Sequence, residues 1–233
     1  LIILYRYTND IRYLDLAEQF LLQRGHIRLF GAHFLKNTLS TGLRLQKVNK
    51  AKARHRATHP EDQRFEIPEH VKFKPPRGMS LRSFYLFITG KYNQQHKPIV
   101  NQKVPEGHAV RYGYFNAAAA MLCRERPHAT LQATLEQSWD HMVQKRMFVS
   151  GGIGAIPLIE GFGYDYEMDP YYAYCETCAA LGSIFWSWEM LLLTNKPHYA
   201  DLIEWQLYNA ASSGIAHDGK SYLYRNQIGR AHV

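Results

Sequence analysis

The sequence predicts an all-α fold built from helical hairpins, an α/α toroid or a bundle. Three observations carry that prediction. Apolar residues recur at helical spacing in segments that come in pairs, the connection between the pairs holds the chemistry-bearing residues, and only one short stretch looks like a strand. The near absence of strands argues against an α/β fold.

Leu1–Tyr7 and Thr8–Arg24 form the first pair. Thr8, Asn9 or Asp10 can cap the second helix, Ile11, Leu14, Leu16, Phe20 and Leu21 give it an apolar face, and Gly25 stops it. Ile27–Leu45 is apolar and compatible with helix. The stretch from Arg44 to Arg82 holds eleven Lys/Arg against four Asp/Glu, together with Pro60, Pro68, Pro75 and Pro76, and reads as a basic loop or insertion. From Gly107 the helical rhythm returns. His108–Cys123 carries small residues (Ala117–Ala120) suited to close packing, and Thr130–Met147 places Leu131, Leu135, Trp139, Met142 and Val143 on one side. Cys178–Leu193 is apolar nearly all round and is expected to be buried throughout. His198–Ser213 is amphipathic and ends at Gly214, after which Asp218-Gly219 turns into a short strand, Ser221–Tyr224.

A length of 233 residues suits one domain or part of a larger one, and 46% hydrophobic with 13% aromatic residues excludes a disordered chain. The formal charge of +8 lies almost wholly in the Arg44–Arg82 stretch, so it describes one solvated segment and not a nucleic-acid-binding face. Three cysteines are too few for a disulfide framework, which points to a reducing, cytoplasmic setting or to a metal or catalytic role. No uninterrupted apolar run reaches the ~18 residues of a membrane span. The chain lacks an initiating methionine and opens in the middle of an apolar pattern, so it is expected to be cut at its front. Ile228–Val233, IGRAHV, reads as a foreign tail.

The chemistry concentrates between Ser150 and Ala180, which gathers glycines, carboxylates, tyrosines and two of the three cysteines. Glu160, between Ile159 and Gly161-Phe162-Gly163, sits in the apolar, flexible surroundings that suit a general acid, although a surface loop carboxylate is equally open. Cys175-Glu176-Thr177-Cys178 has metal or redox spacing, but a single CxxC cannot fill a four-ligand zinc site. Glu176 and Cys178 stand two apart and can reach one ion only where a helix begins; buried structural cysteines are the alternative. His108 opens a helix after Glu106-Gly107, where its ring could enter a cavity. Glu204 and Tyr224 are weaker signals. Two rival readings stay open, a zinc or redox module on Cys175 and Cys178 and a helical nucleic-acid binder using Arg44–Arg82.

The ordered set EGHAVR (Glu106–Arg111), KRMFVSGGIGA (Lys145–Ala155), EGFGYDYEM (Glu160–Met168), YCETCAA (Tyr174–Ala180), LYNAASSGI (Leu207–Ile215) and YLYRN (Tyr222–Asn226) resembles glycoside hydrolase family 127, the β-L-arabinofuranosidases. The resemblance implies that residues 1–227 are an incomplete (α/α)6-barrel catalytic domain. It implies hydrolysis with retention, through a zinc-bound cysteine thiolate and a glutamate acid/base. Residue by residue, Glu160 matches the acid/base, Glu176 and Cys178 match two zinc ligands, and His108, Glu204 and Tyr224 match sugar-contacting positions. The nucleophile and remaining ligand come, in the family, from a cysteine cluster downstream of the stretch resembling Ser221–Tyr224, and no cysteine follows Cys178 here. The polypeptide on its own is therefore expected to be inactive. The expected partner is an L-arabinofuranoside-containing oligosaccharide or glycoconjugate, with no nucleic acid or membrane, and the full-length protein is expected to be able to form a homodimer.

Overall fold

Local sequence signals set the helices of the computed structural model, which describes residues 1–26, 30–58, 81–171 and 173–225. Helix α1 (Ile2–Thr8) ends at Asn9 in the left-handed conformation, and α2 (Ile11–Leu22) starts at Asp10, whose carboxylate accepts the Arg12 N–H at 3.0 Å. Of the three candidate caps it is Asp10 that serves. Helix α3 (Phe30–Thr58) and α4 (Leu81–Ile88) follow. This corrects the reading of Arg44–Arg82 as loop from its first residue, since Arg44–Thr58 is helical. The segment is rich in Ala, Lys, Arg and Leu, all strong helix formers, and its prolines begin only at Pro60. Residues 59–80 and the IGRAHV tail lie outside the described residues.

The remaining helices are α5 (Ala109–Glu125), α6 (Ala129–Lys145), α7 (Thr177–Thr194) and α8 (His198–Gln206), the last running on through a π turn at Leu207–Ala211. Pairs α1/α2, α5/α6 and α7/α8 pack as helical hairpins, and α5 lies closest of all against α7. That contact holds the core. Tyr112 of α5 is wholly buried, its ring edge meets Trp186 of α7 and Phe162 at centroid distances of 5.7 and 5.5 Å, and its hydroxyl bonds Ser138 of α6. The Trp139 indole N–H donates to the Ser187 hydroxyl at 2.9 Å, tying α6 to α7.

The small residues of α5 allow the approach. A Cβ built on Gly113 would stand 2.6 Å from the Gly182 carbonyl carbon, so the two backbones meet where neither carries a side chain. Gly113→Ala is expected to lower stability by about 1–3 kcal/mol, the usual range for overpacking, because the obstacle is backbone and not a movable side chain. Chemical denaturation measures it, and an unchanged midpoint would contradict the packing described.

By length and composition α7 is apolar enough for a membrane span. It buries Ala179, Ala180, Ser183, Trp186 and Met190, but Phe185, Trp188 and Leu192 are exposed. The expectation of burial all round is thus corrected to one buried face, because no described element covers the other. Ser221–Tyr224 is not a strand either. The Asp218-Gly219 turn forms, but the stretch is exposed and among the described residues pairs only through isolated bridges, Ile215 to Tyr222 and Arg225 to Glu176.

Candidate functional site

The segment between α6 and α7 folds back over the starts of α5 and α7. Asp165 anchors it to the end of α6 by accepting from the Arg146 guanidinium at 2.9 Å and pairing with the His141 ring at 2.7 Å. Two backbone bonds then lock its centre to the start of α5. The Phe162 N–H donates to the Gly107 carbonyl at 2.9 Å, and the Ala109 N–H donates to the Glu160 carbonyl at 3.0 Å. The strands of chain approach so closely that a Cβ on Gly161 would lie 2.4 Å from the Gly107 oxygen. Glycine is required there, and the approach sets Glu160 beside His108.

His108 is the N-cap of α5 and nearly buried. Glu160 ends a short 3-10 turn, Pro157–Ile159, with φ of 48°, a left-handed conformation uncommon outside glycine. Strain of that kind collects at functional sites. Both carboxylate oxygens of Glu160 are engaged: Oε2 lies 3.1 Å from His108 Nε2, and Oε1 accepts the Tyr174 hydroxyl at 2.8 Å. Burial, with Arg111 nearby, holds the His108 ring below its ordinary pKa, so the imidazole is neutral and carries one N–H. Nδ1 is buried with no partner. A proton there would bury an unpaired donor, whereas on Nε2 it donates to Glu160. The Nε2–H tautomer follows.

Glu176 is the N-cap of α7, which is where sequence spacing required it to be if it and Cys178 were to reach one ion. It is 2% exposed, and neither carboxylate oxygen has a hydrogen-bond partner of ordinary geometry. Tyr224 and Cys178 nevertheless face it. The interaction with Glu176, with burial second, pushes the Tyr224 hydroxyl above the usual tyrosine range. Burial, then the Glu176 carboxylate, pushes the Cys178 thiol up to about 12. The ligand atoms of His108, Glu160 and Glu176 all lie within 4.8 Å of one another, and the Glu176 carboxylate among them is buried with no hydrogen bond of ordinary geometry. A buried carboxylate in that condition calls for a cation, and a thiol that burial and a neighbouring carboxylate keep protonated needs positive charge to become a thiolate. Glu176 and Cys178, an oxygen and a sulfur donor side by side at the start of α7, fit two ligands of a divalent metal.

Cys175 does not join it. Its thiol turns to the Gly154 carbonyl at 3.7 Å and packs on Gly152, and burial pushes it up to about 12. All three cysteines are free thiols, and Cys123 lies in the core. Glu204 also stays out of the group. Tyr199, Leu202 and Gln206 are the buried positions of α8, and Glu204 falls on the exposed side. An apolar cavity of about 580 Å³ opens beside Cys178 and Tyr224, lined further by Leu181, Leu207, Ile215 and Tyr222.

Tyr174 is the contact that sequence reasoning passed over. A signal for it existed. Tyr174 and Glu176 stand two apart in the extended chain that enters α7, and extended chain puts such residues on one side.

Comparison with known proteins yields matches across the chain. The profile of the β-L-arabinofuranosidase GH127 catalytic domain matches residues 1–233. A non-reducing end β-L-arabinofuranosidase of Bifidobacterium longum subsp. longum is 37% identical over 142 residues, covering 61% of this chain and 22% of the relative. The crystal structure of a GH127 β-L-arabinofuranosidase from Geobacillus stearothermophilus T6 superposes with a TM-score of 0.72 at 28% identity, covering 97% of this chain and 29% of that one. A further GH127 β-arabinofuranosidase structure gives 0.69 at 28% identity, over 97% and 26%. The chain thus spans less than a third of the length of each.

Proposed function

The chain belongs to the GH127 catalytic domains, as a partial (α/α)6 barrel of the β-L-arabinofuranosidase-like glycoside hydrolases, and from that premise we propose that it supplies the acid/base and half of the metal site of a retaining β-L-arabinofuranosidase. One observation carries the proposal: Glu160, held at both oxygens, stands within 4.8 Å of the buried and unpaired Glu176.

In this reading Glu160 works twice. It donates a proton to the glycosidic oxygen as the bond to the anomeric carbon breaks, and afterwards takes a proton from the water that releases the sugar. His108 lies against Glu160, and His108 and Tyr224 meet the sugar; the same role for Glu204 rests on its exposed carboxylate and on the resemblance. Glu176 and Cys178 would hold zinc, with the other ligand and the nucleophile coming from the cysteine cluster that follows the matching stretch in the family. When bound, the ion supplies positive charge that lowers a thiol pKa, so that a thiolate is available near neutral pH.

The test is hydrolysis by the enzyme that carries this chain together with that cluster. p-Nitrophenyl β-L-arabinofuranoside should be cleaved at least about a hundredfold faster, in kcat/KM, than the β-L-arabinopyranoside or β-D-xyloside, since a discrimination of that order needs only a few kcal/mol of pocket contacts. No preference, or no cleavage of the furanoside, refutes the assignment.

A further inference from the structure

We infer that Tyr174 is a positioning residue for Glu160, fixing the direction in which its carboxyl meets the leaving-group oxygen; the inference rests on the reading of Glu160 as proton donor. A glutamate side chain has three torsions, and Glu160 is partly exposed on a short turn, so nothing in its own backbone aims it. Two contacts do. His108 holds Oε2 and the Tyr174 hydroxyl holds Oε1 at 2.8 Å. His108 comes from the start of α5 and Tyr174 from the entry to α7, so the carboxyl plane is set by two elements at once.

Tyr174 is itself held on several sides. Its N–H donates to the Gly154 carbonyl at 3.1 Å, and its own carbonyl accepts the Glu176 N–H at 3.1 Å. The Arg225 guanidinium lies over its ring at 5.4 Å, and the Tyr224 ring meets it edge-on at a centroid distance of 6.3 Å. Arg225 in turn bridges to Glu176 through the backbone. Tyr174 therefore ties the proton-donor half of the site to the half around Glu176, Cys178 and Tyr224.

A role in aiming the acid differs measurably from a role in holding the loop. Proton donation matters in proportion to how poor the leaving group is: an alkoxide must be protonated as it departs, whereas p-nitrophenolate leaves without help. Misaiming an acid by an ångström costs up to about a hundredfold. In the enzyme that carries this chain, Tyr174→Phe keeps the ring and removes only the hydroxyl. Its kcat/KM on methyl β-L-arabinofuranoside should fall about tenfold or more beyond any fall on the p-nitrophenyl glycoside. In a Glu160→Gln background the same change should produce no further loss, because there is no acid left to aim. Equal losses on both glycosides, no loss on either, or a further loss in the Glu160→Gln background each overturn the inference. A wild-type enzyme inactive on both glycosides overturns instead the hydrolase reading beneath it.

Discussion

Glu160→Gln is expected to lower kcat/KM for methyl β-L-arabinofuranoside about a thousandfold, the middle of the range for removing a general acid. The substitution keeps the size of the side chain and an oxygen able to accept from Tyr174 or His108, so the loss reports the proton and not the packing. The p-nitrophenyl glycoside should lose far less, since its departure needs no acid. Stability should not fall with activity. Glu160 is partly exposed, and glutamine keeps its size and an acceptor for Tyr174 or His108. Equal losses on the two glycosides, or a variant that unfolds, would place Glu160 in the scaffold.

The helical hairpins were legible because their apolar positions repeat with the period of a helix: Leu131, Leu135, Trp139 and Met142 line the buried side of α6, as their spacing requires. The close crossing of α5 and α7 was half legible. Ala117–Ala120 announced it, but the partner Gly182 could be matched to Gly113 only in three dimensions. Helix α3 was obscured by its charge. A dense run of Lys and Arg reads as solvated loop, yet these residues form helix readily, and proline stops the pattern only at Pro60. Ser221–Tyr224 falls short of a strand for the opposite reason, since alternation in one segment promises nothing unless its pairing runs beyond isolated bridges. Within the site, the two-residue spacing lets Glu176 and Cys178 share an ion only at a helix start, and the start of α7 is where they stand. The convergence of His108, Glu160 and Glu176 depends on the approach of Gly107 to Gly161, 54 residues apart in sequence, and spacing alone cannot show it.

Glu176→Gln should act on stability in two opposite directions. Without metal, Glu176 is a buried carboxylate with no hydrogen bond of ordinary geometry at either oxygen. Leaving a polar group buried and unpaired costs about 1–3 kcal/mol, and more when it is charged. Glutamine has the same shape and no charge but stays polar, so it recovers only the part of that cost due to charge, and the metal-free variant should be more stable than the wild type by about 1 kcal/mol. With metal the order reverses. A cation bound by the folded chain alone stabilises it by about 2.7 kcal/mol at a hundred times its dissociation constant, and the variant, lacking the buried ligand, forgoes most of that gain. Most substitutions in a buried site only destabilise, so the change of sign is specific to a ligand waiting for an ion.

That reversal bears most directly on whether Glu160 and Glu176 belong to a metal-assisted glycosidase site. The measurement is thermal unfolding of the enzyme that carries this chain together with the cysteine cluster, as wild type and as Glu176→Gln, each with chelator and with saturating zinc chloride. The account predicts a higher Tm for the variant in chelator and a higher Tm for the wild type in zinc. A variant less stable in chelator, or one that gains as much from zinc as the wild type does, would contradict it.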